Sequence, residues 1–266
     1  MPTFWWDGHP NFGDDVGPLL LPHYGIVPQH SEPAHASLVG VGSILEFLPS
    51  GFTGAIWGSG LIADAPHPLP RATVLAVRGP LTAERLGLTE EPPYGDPAIL
   101  IARHLPRPVG DGRIAVVPHG HHRGHDRLAA LVRMADGAAR MVNVHQRAAP
   151  AIREIATARV VLTTSLHGLI AADAYGIPAV WTTLDPPLHG GDFKFRDYEA
   201  AVTPGSTRYR AFDEGLSLDE LTAHAQTVSP QRLRTLGDGL EEAIAAAGSL
   251  DGVPFPQGIR HALHRR

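Results

Sequence analysis

Residues 159–175 read Arg159-Val160-Val161-Leu162-Thr163-Thr164-Ser165-Leu166-His167-Gly168-Leu169-Ile170-Ala171-Ala172-Asp173-Ala174-Tyr175. A short β-branched run ends on hydroxyl residues and is followed by a longer apolar run with few β-branched residues. The first predicts a buried strand over 159–163 and the second a helix over 167–175. Strand, polar turn and helix together form the repeating unit of an α/β fold. The same unit recurs on either side. Strands are expected over 113–117, 141–144 and 178–181, with helices over 126–136 and 149–157 between them. Short apolar strands separated by helices make a parallel sheet, and ligands of such sheets sit beyond the carboxyl ends of the strands.

The first half repeats the scheme more loosely. Strands over 37–42, 54–60 and 72–77 each run into glycine or Arg78-Gly79-Pro80, and a helical or turn segment over 43–48 and a helix over 81–86 follow two of them. Arg103 to Gly112, with Pro106, Pro108, Gly110 and Gly112, reads as a linker. The fold class is therefore α/β, as two lobes with the site between them. Residues 1–108 form an N-terminal lobe, 109–200 a C-terminal lobe, and 201–266 a helical segment and tail. Helices are expected over 217–221, with Ser217 as cap, and over 231–247; Gly252 to Arg266 reads as a Pro- and Gly-containing basic tail.

Bulk composition narrows the function. The chain has 266 residues, 43% of them hydrophobic, enough for a substantial core. Its 27 acidic residues against 22 Lys and Arg give a net charge of -5, which argues against a nucleic-acid partner. With no cysteine, disulfides, thiolate metal sites and Cys nucleophiles are excluded, and a cytoplasmic setting fits. No run approaches the roughly 20 apolar residues of a membrane span, and Met1-Pro2-Thr3-Phe4-Trp5-Trp6-Asp7 lacks the pattern of a secretory signal.

The candidate site residues lie at the ends of the expected strands. Free amides of the helix entered near His167 favour an anion; Ser165 and His167 would add donors, and Gly168 would let a ligand approach the backbone. The alternative reading makes Thr164 or Ser165 a plain cap and His167 a surface histidine. Arg78 occupies the matching position in the first half, where its guanidinium suits phosphate or carboxylate, or else a surface ion pair. His119 also follows a strand; His121, His122 and His125 crowd behind it without the spacing of a metal site, and no metal is expected. Asn11, Gly13 and Asp14 define a turn whose carboxylate could act as a general base. Gly58-Ser59-Gly60 is a poor phosphate loop, and neither a dinucleotide fingerprint nor a Gly-x-Ser-x-Gly elbow is present. Lys194 and Arg196, within Asp192-Phe193-Lys194-Phe195-Arg196-Asp197-Tyr198, form an aromatic and cationic cluster suited to an anion.

Taken in order, Asn11-Phe12-Gly13-Asp14, Gly40-Val41-Gly42-Ser43-Ile44-Leu45, Trp57-Gly58-Ser59-Gly60, Ala76-Val77-Arg78-Gly79-Pro80-Leu81-Thr82, Gly95-Asp96-Pro97-Ala98, Pro118-His119, Ser165-Leu166-His167-Gly168 and Lys194-Phe195-Arg196-Asp197-Tyr198 resemble the polysaccharide pyruvyl transferase family, more closely its shorter bacterial exopolysaccharide members. The resemblance implies a GT-B-like fold, with two Rossmann-like lobes whose parallel sheets face a cleft, and C-terminal helices. It implies a transferase that moves the pyruvyl group of phosphoenolpyruvate onto two hydroxyls of a saccharide, forming a cyclic ketal and releasing phosphate. Phosphoenolpyruvate is then a co-substrate, and no cofactor is needed.

Carried over, Arg78 would grip the donor, His167 would contact its phosphate and supply a proton, and Asp14 would be the acceptor-side base. Asn11, Gly13, Ser59, His119, Ser165, Gly168, Lys194 and Arg196 would bind substrate. Many members carry Ser-Arg-Leu-His where this chain has Thr164-Ser165-Leu166-His167, so the charge of that arginine would fall to Lys194, Arg196 or His119. A lipid-linked acceptor would place the protein at the inner face of the membrane. The alternatives are a nucleotide-sugar glycosyltransferase or epimerase on the same scaffold, and a non-catalytic saccharide-binding or assembly protein.

Overall fold

A computed structural model describes residues 1–213 and 215–247; the tail read over Gly252–Arg266 lies outside the described residues. The chain is mixed α/β with two all-parallel sheets. In the first half β1 (Pro2–Phe4), α1 (Val16–Leu20), β2 (Gln29–His30), β3 (Leu38–Val39), β4 (Ala55–Trp57), β5 (Thr73–Ala76) and α2 (Pro80–Leu86) follow in turn, and the strand order is β2-β1-β3-β4-β5. In the second half β6 (Ile114–Val117), α3 (Asp126–Met134), β7 (Ala139–Met141), α4 (Ala148–Ala156), β8 (Val160–Thr163), α5 (Leu166–Ala174) and β9 (Ala179–Trp181) build a sheet of order β7-β6-β8-β9. Three further helices close the described chain: α6 (Phe193–Val202), α7 (Leu218–Thr222) and α8 (Pro230–Ala247).

The deciding stretch behaves as its residue pattern predicts. Val160 to Thr163 pairs with β6 on one side and β9 on the other. Helix α5 is buried from Leu166 through Asp173, so its apolar residues surround the axis rather than forming a stripe. Ser217 caps α7 through a reciprocal capping box with Glu220, as read.

Other elements depart from expectation for identifiable reasons. Strands β1 and β2 are too short to show a period. The strand expected over 141–144 ends at Met141, although Val142 and Val144 remain buried. Helix α6 went unread because the residues it buries include Lys194, Asp197 and Glu199, so no apolar stripe marks it.

One apolar cluster runs through both sheets, from Phe12, Val16 and Trp57 to Val117, Leu169 and Trp181. The C-terminal helices return to the first half: the Trp57 indole N–H donates to the Leu240 carbonyl of α8 at 2.8 Å. Helix α6 ties the halves together through charge. Its Asp197 accepts from Arg78 Nε, from the Thr82 amide and from the Thr82 hydroxyl at 2.6–2.8 Å, and so caps α2 from outside. From the same helix, Tyr198 donates to Asp173 of α5 at 2.8 Å, and Glu199 accepts from Arg208, which also pairs with Asp173. No helix among the described residues is long and apolar enough to cross a membrane.

Candidate active site

The carboxyl ends of both sheets open on one pocket of about 190 Å³. Asn11, Asp14 and Ser43 line it from the first half; His119, Ser165, His167 and Lys194 line it from the second. The N-terminus of α5 faces this space. Its cap residue Ser165 has a hydroxyl that bonds no amide of the helix, which leaves the first-turn N–H groups for an anion.

The charges inside are few and desolvated. Lys194 is 8% exposed, and among the described residues no hydrogen bond or ion pair engages its ammonium; the Phe195 ring lies 5.9 Å away. Burial, with Arg78 nearby, lowers its pKa to about 8, while Asp14 opposes the shift. Asp14 moves the other way. Burial raises its carboxyl to about 7 against the opposing effects of the Asn11 hydrogen bond (2.5 Å) and Lys194. The shift brings a protonated carboxyl within reach near neutral pH.

His167 is held neutral. Burial, then Lys194 and Arg78, push its imidazole down to about 3. Its Nε2 is buried without a hydrogen-bond partner and lies 4.0 Å from Asp96. Asp96 is itself wholly buried, raised to about 6 by desolvation, and accepts from the amides of Ala98 and Gly42. His119 is lowered to about 2 by burial and Lys194; its amide donates to Thr164 Oγ1, which His122 holds from the other side.

Several residues expected to touch substrate do not line the pocket. Arg78 is 0% exposed, and protein groups occupy its guanidinium: Nε donates to Asp197, Nη1 to Ser43 Oγ and Nη2 to the Leu61 carbonyl. The carboxylate that its position suits is the chain's own. Ser59 is fully buried and donates to the Gly42 carbonyl at 2.8 Å. Gly168 serves packing, since a Cβ there would lie 2.5 Å from Thr163 Oγ1 and 2.8 Å from Val117 Cγ1. Arg196 is on the surface, paired with Asp192 at 3.0 Å and Asp64 at 3.6 Å. Of the three residues that could replace the family arginine, Lys194 and His119 line the pocket beside Ser165, and Arg196 does not.

Gly13 stands behind the imidazole rather than facing the ligand: a Cβ on it would fall 2.0 Å from His167 Nδ1. Gly13→Ala is expected to displace the ring and lower turnover about a hundredfold, as misplacements near 1 Å do. The far-UV spectrum should stay unchanged, and wild-type turnover in the variant would show that the ring position is immaterial. Sequence reasoning assigned no role to Asp96. Its signals were its place in Gly95-Asp96-Pro97-Ala98, one of the pieces that carry the family resemblance, and a carboxylate in the otherwise apolar stretch 95–101.

Fold and site together define an α/β protein with a small, partly cationic pocket at converging strand ends. Residues 67–186 match the family model for polysaccharide pyruvyl transferase. The chain is also 30% identical over 263 residues to the succinoglycan biosynthesis protein ExoV of Rhizobium meliloti (strain 1021), covering 89% of this chain and 79% of that protein. The chain belongs to the polysaccharide pyruvyl transferase family, and is a transferase by that membership.

Proposed function

We infer that the protein transfers the pyruvyl group of phosphoenolpyruvate to two hydroxyls of an exopolysaccharide saccharide, forming a cyclic ketal and releasing phosphate. The observation that carries this reading is that the unpaired ammonium of Lys194, the uncapped end of α5 and the Asp14 carboxyl line one small pocket. A small donor carrying phosphate and carboxylate suits that arrangement.

In the proposed reaction the neutral Asp14 carboxyl protonates the methylene carbon of the donor. The first hydroxyl adds to the resulting cationic carbon and returns its proton to Asp14. The C–O bond to phosphate then breaks, with Lys194 and the α5 amides stabilising the departing charge. The second hydroxyl closes the ring, and its proton leaves with the phosphate. His167, neutral at its low pKa, serves as a hydrogen-bonding group in this scheme; the acid is Asp14.

The scheme fixes a pH dependence. Activity needs protonated Asp14 and charged Lys194, so kcat/KM for the donor should fall as pH rises through about 7, and more steeply beyond about 8. Asp14→Asn should lower phosphate release by about a thousandfold, the middle of the range for loss of a positioned acid–base group. Phosphate release from phosphoenolpyruvate in the presence of saccharide acceptors measures both. A profile flat from pH 6 to 9 removes Asp14 as the acid, and no phosphate release from phosphoenolpyruvate alongside nucleotide release from a nucleotide sugar removes the donor.

A further inference from the structure

Beside the pocket, and sharing Trp6, His9 and Asn11 with it, lies a second and larger hollow of about 430 Å³. One wall is the segment after β1, with Trp5, Trp6 and Asp7. The other is the segment leading into α4, with His145, Gln146 and Arg147. The aromatic wall is ordered. Trp6 stacks on Phe47 at 5.1 Å and 24°, and Phe47 is 41% exposed; Trp5 meets His30 edge-on at 4.7 Å. On the opposite wall Arg147 is paired with Asp15 at 3.1 Å, and Asp15 also accepts from the Ala148 amide. The His145 Nε2 is buried and unpartnered.

The pyruvyl-transfer reading leaves this hollow unused. The catalytic pocket, at about 190 Å³, is small for donor and acceptor together, and the hollow opens from its side. A half-exposed indole facing polar side chains is the surface a pyranose ring fits: the apolar C–H face lies on the aromatic, and the rim hydroxyls reach the amide, guanidinium and carboxylate. A lipid chain would bring apolar surface against Asp7, Gln146 and Arg147, whose side chains gain nothing from it, whereas sugar hydroxyls can share their polar atoms.

We propose that this hollow is a second saccharide subsite, which seats the sugar next to the one that receives the pyruvyl group. The acceptor is therefore an oligosaccharide held by both halves of the chain. The subsite rests on the proposed saccharide acceptor, but not on the identity of the donor.

Its test uses the protein's own fluorescence. Of four tryptophans, Trp57 and Trp181 are 0% and 1% exposed, so a ligand-induced change reports Trp5 and Trp6. The probes are short oligosaccharide fragments of a de-pyruvylated bacterial exopolysaccharide and their constituent monosaccharides, titrated without donor. The fragments should alter emission at concentrations about tenfold lower than the monosaccharides do. Trp5→Ala should remove that advantage. Arg147→Ala, at a site 85% exposed and harmless to folding, should reduce it about threefold. Equal half-effect concentrations, or no response to any saccharide, overturn the subsite, and so does a response confined to anionic phospholipid vesicles. Phosphate release is followed separately. Length-dependent binding without release sinks the phosphoenolpyruvate reading alone, and release without length dependence sinks the subsite alone.

Discussion

Lys194→Met is expected to abolish phosphate release while making the protein more resistant to heat. The ammonium is the pocket's unpaired cation among the described residues, and removing one preorganised donor to developing negative charge lowers turnover about 100- to 1,000-fold. A full charge in a desolvated site should reach the upper end. The stability gain follows from the shifted pKa. Folding lowers the Lys194 pKa from 10.5 to about 8, so the unfolded chain holds this proton more tightly. Below pH 8 the folded protein carries the whole penalty, and the penalty fades as pH rises from about 8 to 10.5. At neutral pH it amounts to at most about 3 kcal/mol, which methionine removes. The sign survives the loss of attraction to Asp14, whose carboxyl should titrate higher in the variant. Thermal melts at pH 7 with phosphate-release assays check both parts; a variant that melts lower and keeps activity contradicts both.

The second large effect concerns Arg78 and Asp197, both without exposed side-chain surface and joined at 2.8 Å. Asp197→Ala leaves the guanidinium with only the Ser43 hydroxyl and the Leu61 carbonyl. An uncompensated charge in that setting costs about 3–5 kcal/mol, a fall in Tm of about 10 °C for a chain of this size. Arg78→Met should cost less, because Asp197 keeps the Thr82 amide and hydroxyl. The double variant Arg78→Met, Asp197→Leu should recover part of the loss, since apolar pairs replace buried ion pairs without large penalty. A direct donor ligand would behave differently: Arg78→Met would raise KM for phosphoenolpyruvate with an unchanged Tm. Melting curves of the three variants rank these outcomes.

Residues 159–175 carried the reading of the second sheet because a β-branched run and an apolar helix differ in period. The same logic found β3 to β6, although each observed strand is shorter than its apolar stretch. It could not find β1 or α6. A three-residue strand has no period, and a helix that buries Lys194, Asp197 and Glu199 looks polar until their partners are known. The site was legible in the same uneven way. Asp14, His167 and Lys194 could be picked from turns and helix starts, and the structure brings them together. Position at a strand end made Arg78 and Ser59 look equivalent to them, because chain order does not say whether a side chain turns outward to a ligand or inward to its own protein. For Arg78 the answer lay 119 residues away, at Asp197.

Helix α6 has a consequence for how the molecule moves. One side of it is bolted to α2 through Asp197 and another to α5, through Tyr198 directly and through Glu199 by way of Arg208, while Lys194 lines the pocket. Swinging the halves apart between α6 and α2 would strip Arg78 of its interior carboxylate, which costs about 3–5 kcal/mol at that contact. The segments around Trp6 and His189 form part of the pocket wall, and reactants that pass them leave that ion pair undisturbed.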